Sequence, residues 1–204
     1  MGENRKEEII IATLKLAAEK GLGNVSMNMI ADSIGIKKPS LYNHFKSKEQ
    51  LVQEMYLFLR ESAQRRTNTQ MDFNIFENKS AKEILTTLVN NYILLSLEQN
   101  MQMFYKVIYS ERAFSPEAAK ILTEETQKMI NATKQVFVVL HNKRLLQFDN
   151  LEISAMSFAL TIHALMDYSL DESFSKGENV AVNFDLIKRY ISNFCLEHNK
   201  GENL

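Results

Sequence analysis

Residues 26–48 read SMNMIADSIGIKKPSLYNHFKSK, and this stretch decides the fold. Ser26 is a strong N-cap type, and Met27, Ile30, Ala31 and Ile34 recur at helical spacing, which predicts a short helix to about Ile34. Gly35 ends it, because glycine enters the left-handed turn that closes a helix. Ile36 fills the angle between two helices, and Pro39, with fixed φ and no N–H, suits the first position of a second helix running to about Phe45. Two short helices across a glycine turn make a helix-turn-helix.

The second helix has the side chains a polyanion requires. Four lysines, Lys37, Lys38, Lys46 and Lys48, fall in this short run with no acid before Glu49. Between them lie Ser40, Tyr42, Asn43 and His44, short or planar groups able to hydrogen-bond to phosphates and base edges. Leu41 and Phe45 are four apart, so both can turn to a hydrophobic core while the polar residues are presented elsewhere on the helix. Lys37 and Asn43 are the expected variable contacts that help choose a DNA sequence.

At these residues a resemblance becomes plain: residues 9 to about 59 resemble the DNA-binding domain of the tetracycline-repressor (TetR) family. The matching pieces are IIIATLKLAAEKG, the S-x-x-x-I-A-x-x-x-G-I helix and turn, and the run KPSLYNHFKSKEQL. The last is highly specific, and the match covers about the first quarter of the chain. The resemblance implies that Ser26, Lys38, Ser40, Tyr42, His44 and Lys48 contact DNA, mostly at phosphates. It also implies a homodimer on a palindromic operator and a small-molecule pocket among the central helices of each protomer. Four positions depart from the family pattern: Ile11, Ala17, Asn28 and Met29. Asn28 removes a common phosphate contact.

Composition agrees with an all-helical chain. Two prolines and six glycines among 204 residues favour helices over a turn-rich β protein, and 45% hydrophobic content supports a sizeable core. The net charge of −1 hides an asymmetry. Residues 1–48 hold eight Lys and Arg against five Asp and Glu, whereas residues 49–204 hold sixteen against twenty. A basic end on an acidic body fits a protein whose one end meets a polyanion. The single Cys195 excludes an intramolecular disulfide. With no signal-peptide pattern at MGENRKEEII and no apolar run long enough to span a bilayer, a soluble cytoplasmic protein is expected.

The rest of the chain reads as a succession of helices. Glu3 to Lys20 forms the first, with Ile9, Ile10, Thr13, Leu14 and Ala17 inward and Gly21 as its stop. Ser47 with Gln50 forms a capping box for a linking helix to about Thr69, and Asp72 to Lys79 reads as a loop. Ser80 with Glu83 opens a helix to about Glu98. Gln99 and Asn100 interrupt the pattern before Met101 to about Arg112. Ser115 and Pro116 begin a long helix to about Asn142. Asp149 with Glu152 caps a helix to about Asp171, and after a looser stretch, Glu172 to Asn183, the last helix follows.

The expected fold is therefore all-α with about nine helices. Residues 1–47 form a three-helix DNA-binding domain, residues 48–204 form a larger ligand-binding and dimerisation domain, and helix 48–70 links them. The helix from 150 to 171 carries Ile153, Met156, Phe158, Leu160, Ile162, Leu165 and Met166 and is apolar on nearly every side. It must be covered on both faces. This helix and the last one, 183–198, with Phe184, Ile187, Ile191, Phe194 and Cys195 at helical spacing, are expected to pair with their symmetry mates as a four-helix interface.

Tyr92, Met103, Phe104, Tyr105, Tyr109, Met129, Phe137, His163 and Met166 are the candidates for the pocket that the resemblance implies, although such residues at helical spacing more often form core. Catalysis finds no support: G-x-S-x-G, glycine-rich phosphate loops, H-E-x-x-H and Glu-x-x-His pairs are missing, and the four histidines are scattered. No cofactor or metal is expected. The sequence thus points to a ligand-released repressor, or alternatively to a DNA-bound adaptor that works through a protein partner without an inducer.

Overall fold

The structure is a computed structural model that describes residues 2–67, 77–178 and 181–199. The described residues form nine α-helices and no strand: α1 (Gly2–Lys20), α2 (Met27–Ser33), α3 (Lys38–His44), α4 (Lys48–Thr67), α5 (Ala81–Ser96), α6 (Gln99–Glu111), α7 (Pro116–Asn142), α8 (Leu151–Ser175) and α9 (Phe184–His198). They group into two compact units. One falls within Met1–Met71 and Ser96–Leu122, the other within Asp72–Leu95 and Thr123–Leu204. The unit holding the helix-turn-helix thus extends past residue 47 to take in α4, α6 and the start of α7.

In the first unit α1 packs against α2, α4 and α6, and α2 against α3. Ile9, Leu14, Ile30, Leu41, Phe45, Leu51 and Met55 share one buried cluster with Phe104, Val107, Ile108 and Ile121. Thr13, polar but fully buried, satisfies its hydroxyl by donating to the Ile9 carbonyl at 2.8 Å. Gly35 has φ 66°, and Ile36 N–H reaches back to the Ala31 carbonyl at 3.0 Å, so a Schellman turn closes α2 at the expected glycine.

In the second unit α8 packs on α9. Its core is aromatic: the Phe137 ring stacks on Phe148 at 4.6 Å between centroids and lies 5.4 Å from Phe158 and 5.5 Å from Phe194. The Phe158 and Phe194 rings meet edge to face at 4.8 Å, an arrangement aromatic quadrupoles favour.

Local capping accounts for most helix starts. Ser47 Oγ accepts from Gln50 N–H at 3.2 Å, while Gln50 Oε1 accepts from Lys46 N–H at 2.8 Å, one residue earlier than in a standard capping box. The Ser80–Glu83 box is complete, with bonds of 3.3 and 2.8 Å in the two directions. Ser115 Oγ caps α7 by accepting from Ala118 N–H at 3.2 Å.

Several boundaries differ from expectation for physical reasons. Gln99 and Asn100 lie in the first turn of α6 rather than in a break, since N–H groups there have no internal partner and polar side chains fit. The cap of α8 is Asn150, whose Oδ1 accepts from Ile153 N–H at 3.1 Å, rather than Asp149. That helix continues through the polar run to Ser175 instead of stopping near Asp171. It ends at Gly177, φ 69°, where Glu178 N–H bonds to the Ser173 carbonyl at 3.0 Å. The expected end of α4 at Thr69 and most of the loop 72–79 lie outside the described residues.

Candidate nucleic-acid interface

The second helix of the helix-turn-helix, α3, is seven residues long and held by two anchors. Leu41 and Phe45 are both 0% exposed, locked into the cluster formed by α1, α2 and α4. With that side fixed, Lys37, Lys38, Ser40, Tyr42 and Asn43 are exposed, and His44 is half-buried at the last turn. Tyr42 keeps 41% of its surface, a large amount for an aromatic side chain in an ordered helix. The Lys38 ammonium lies 5.9 Å from the Tyr42 ring centroid, within cation–π range, so the two point into the same solvent region. Lys38 is the first residue of α3 and Pro39 the second, not the first as expected; the second N–H of a helix is also unpaired, so proline costs nothing there.

Two of the predicted contact residues have structural bonds. Ser26 Oγ accepts from Met29 N–H at 3.2 Å as the cap of α2, which leaves its own hydroxyl proton available to donate outward. Lys48 Nζ donates to the Leu22 carbonyl at 2.7 Å and lies 3.5 Å from that of Gly23. It braces the first turn of α4 against the 3₁₀ turn Leu22–Asn24, and a third N–H remains for an outside acceptor. At the same helix start the Glu49 carboxyl is held below its ordinary pKa, first by a backbone hydrogen bond and then by one from Ser47.

The nine pocket candidates divide between the units. In the first, Phe104 is buried in the core, Met103 and Tyr105 pack against it, and the Arg112 guanidinium sits 4.9 Å from the centroid of Tyr109. In the second, Phe137 is fully buried at the centre of the aromatic core and Met166 is buried, while Met129 is half-buried. Phe104 and Phe137 are therefore packing residues within their own units. The polar pair stands apart: Tyr92 Oη and His163 Nδ1 are 2.9 Å from each other, and His163 Nε2 is 3.7 Å from Asp167 Oδ2. Asp167 had no place in the sequence reading, though its i,i+4 spacing from His163 on one helix signals the pairing.

The outer side of α8 carries an apolar stripe with no cover. Ile153 (53% exposed), Met156, Leu160 (42%) and Tyr168 (58%) follow one another at helical spacing along it. The apolar stripe of α9 behaves otherwise: Ile187, Ile191 and Phe194 are buried within the protomer, and Cys195 is half-buried. This stripe packs into the aromatic core of the second unit. Among the described residues no helix is long and apolar enough to cross a membrane.

An exposed cationic helix on a buried two-residue anchor, inside an all-helical chain, defines a helix-turn-helix protein of the regulator class. Residues 9–55, about the first quarter of the chain, match the family model of bacterial regulatory proteins, tetR family. The HTH-type transcriptional repressor KstR2 of Mycolicibacterium smegmatis is 44% identical over 52 residues, covering 26% of this chain and 25% of the relative. A TetR-family transcriptional regulator from Mesorhizobium loti has the same fold, with a TM-score of 0.70, 20% identity and coverage of 97% and 96% of the two chains. The flavonoid-responsive regulator FrrA is similarly related in fold, with a TM-score of 0.65, 22% identity and coverage of 98% and 100%. The chain spans between 25% and 64% of the length of the curated relatives it matches.

Proposed function

We propose that this protein is a sequence-specific, DNA-binding transcriptional regulator of the cytoplasm, a repressor that leaves a palindromic operator when a small, largely apolar ligand binds. The observation that carries this reading is α3, whose Leu41 and Phe45 are fully buried while Lys37, Lys38, Ser40, Tyr42 and Asn43 are exposed. Ser26, His44 and Lys48 flank that surface and complete the contact set. Residues 1–47 serve as the reading head, α4 as the link, and the remainder as the ligand-binding and dimerisation part. The repressor named among the relatives supports the direction of regulation.

The uncovered face of α8 supports a homodimer. Ile153, Met156, Leu160 and Tyr168 form a stripe that a second copy covers with the same stripe, as a two-fold axis requires. Two α3 helices then enter successive major grooves, which demands a separation of about 34 to 36 Å. The ligand shifts a population: it binds better to an arrangement in which that spacing is lost. Weakening DNA binding about 100-fold requires about 2.7 kcal/mol of coupling. For the effector we propose the second unit's polar pair, Tyr92 and His163, as anchor. Met129 and Met166 supply adaptable apolar surface there. The flavonoid-responsive relative in fold supports an effector of this apolar, hydrogen-bonding kind.

The test is selection of bound sequences from a random duplex pool with wild type and Tyr42→Ala, at two salt concentrations. A palindromic site is expected for wild type. About eight phosphates neutralised per dimer give a log–log salt slope of about −7. No enrichment by a folded dimer would overturn the reading and bring forward an adaptor acting through a protein partner.

A further inference from the structure

The segment between α3 and α4, Phe45 to Ser47, is held by a chain of polar contacts that begins on α1. Lys6 Nζ donates to Glu54 Oε2 at 3.4 Å, Glu54 Oε1 accepts from Gln50 Nε2 at 2.9 Å, and Gln50 Oε1 accepts from the Lys46 N–H at 2.8 Å. Ser47 Oγ closes the segment by accepting from the Gln50 N–H at 3.2 Å. A separate contact reaches the same place. The Lys6 ammonium sits 5.6 Å from the centroid of the Phe45 ring, within cation–π range, and Phe45 is the fully buried C-cap of α3. The first helix therefore meets the end of α3 twice, once at its anchor and once through the residues that leave it.

Chemistry fixes the order of atoms along this chain. A backbone N–H can be served only by an acceptor, so Gln50 must turn its carbonyl oxygen to Lys46 and its amino group away. Glu54 lies four residues further along α4, on the same side of the helix, and its carboxylate accepts but does not donate. It takes the amino end of Gln50. With the amide flipped, oxygen would face the carboxylate and the amino group would face the Lys46 N–H, so both contacts would repel. A bond to a charged acceptor is also the stronger sort. Lys6 supplies the countercharge. Because α3 is only seven residues long, its direction depends on its two buried anchors and on the segment that leaves it.

We propose, building on the DNA binding proposed above, that Glu54 is a positioning residue for sequence reading. Acting through Gln50, it fixes the exit of α3 and with it the angle at which Lys37 and Asn43 meet base edges; Lys6 holds Glu54 in that role. Lys6, Gln50 and Glu54 stand outside the DNA-contact set, so loss of the relay removes no phosphate contact. Two quantities separate as a result. Positioning governs the match to base edges, whereas phosphate contacts set the sequence-independent affinity and its salt dependence.

The test measures binding of the full chain to two duplexes: the one that wild type enriches from the random pool, and a shuffled duplex of the same length and base composition. Glu54→Ala should lower the ratio of the two affinities about three- to tenfold, within the range of coupling between residues in contact. Affinity for the shuffled duplex, the salt slope and the melting temperature should stay as in wild type. Glu54→Gln keeps an oxygen acceptor for Gln50 and should restore most of the ratio. Lys38→Ala, which removes a proposed phosphate contact from each protomer, should instead weaken binding to both duplexes and reduce the salt slope by about 2 per dimer. An unchanged ratio in Glu54→Ala, or an equal loss on both duplexes, overturns the relay and leaves the DNA reading standing. Wild type with no preferred duplex overturns both. If Glu54→Ala fails to fold, Gln50→Ala decides by the same ratio.

Discussion

At the scale of single residues, α3 and its C-cap separate buried from exposed side chains within one turn of helix. Phe45 is fully buried and Tyr42, three residues earlier, is largely exposed. Phe45→Ala should cost about 3 to 5 kcal/mol, read as a lowered urea midpoint, because it leaves a cavity in the core around α1. Tyr42→Ala should leave that midpoint within about 0.5 kcal/mol. Its effect should appear in DNA affinity instead: a hydrogen bond to a charged phosphate is worth about 1.5 to 3 kcal/mol, or about ten- to a hundredfold. Equal effects of both variants on stability would contradict this division. Cys195 offers a second check. Burial pushes its thiol up to about 11 from about 9, with Lys82 opposing weakly. The folded state holds the proton more tightly, so the associated stability is present below about pH 9 and is lost as pH rises towards 11. Alkylation by iodoacetamide at pH 8 should be much slower in native protein than in urea; equal rates would show the thiol to be open.

At the scale of elements, caps and C-terminal glycines account for where helices begin and end. Asn150 Oδ1 holds the N–H of Ile153 at 3.1 Å, so Asn150→Ala should cost about 1 kcal/mol and Asn150→Ser should recover most of it. Thermal unfolding with no loss in the alanine variant would mean that α8 is held by packing alone. The helix-turn-helix was legible because its signals are local: Ser26, Gly35 and Pro39 each act within a few residues. Local signals also misled at α8, where Asp149 and Asn150 are both good cap types and only the observed bond distinguishes them. Residues 172–175, ESFS, fall at the start of the stretch expected to be looser. They are helical, with the Ser173 and Ser175 hydroxyls satisfied by the carbonyls of Ser169 and Glu172 at 3.0 and 2.8 Å, and Gly177, φ 69°, provides the stop.

At the scale of the whole molecule, the apolar stripe on α8 carries the prediction of assembly. Leu160→Arg places a charge in the middle of that stripe, where a two-fold axis would bring it near its own copy. The variant should sediment as a monomer with unchanged helical content, while wild type sediments as a dimer at micromolar concentration. A dimer that survives the change would move the interface elsewhere. The α9 stripe shows why such faces are hard to assign beforehand. Ile187, Ile191 and Phe194 have the same periodicity as the stripe on α8, yet they fill the protomer's own core.

The sequence by itself determined the all-helical class, the helix-turn-helix between Ser26 and Lys48, and which residues of α3 face inward, since helical period and caps are short-range properties. Only the tertiary structure decided which apolar faces are used internally. It joined Phe104 and Ile108 of α6 to the same core as Leu41 and Phe45, and it drew the α9 stripe into an aromatic cluster around Phe137. It also brought Lys6 to Glu54, 48 positions away. Periodicity says that a face is apolar; it does not say what lies across from it, because that partner is chosen by packing between segments distant in the chain.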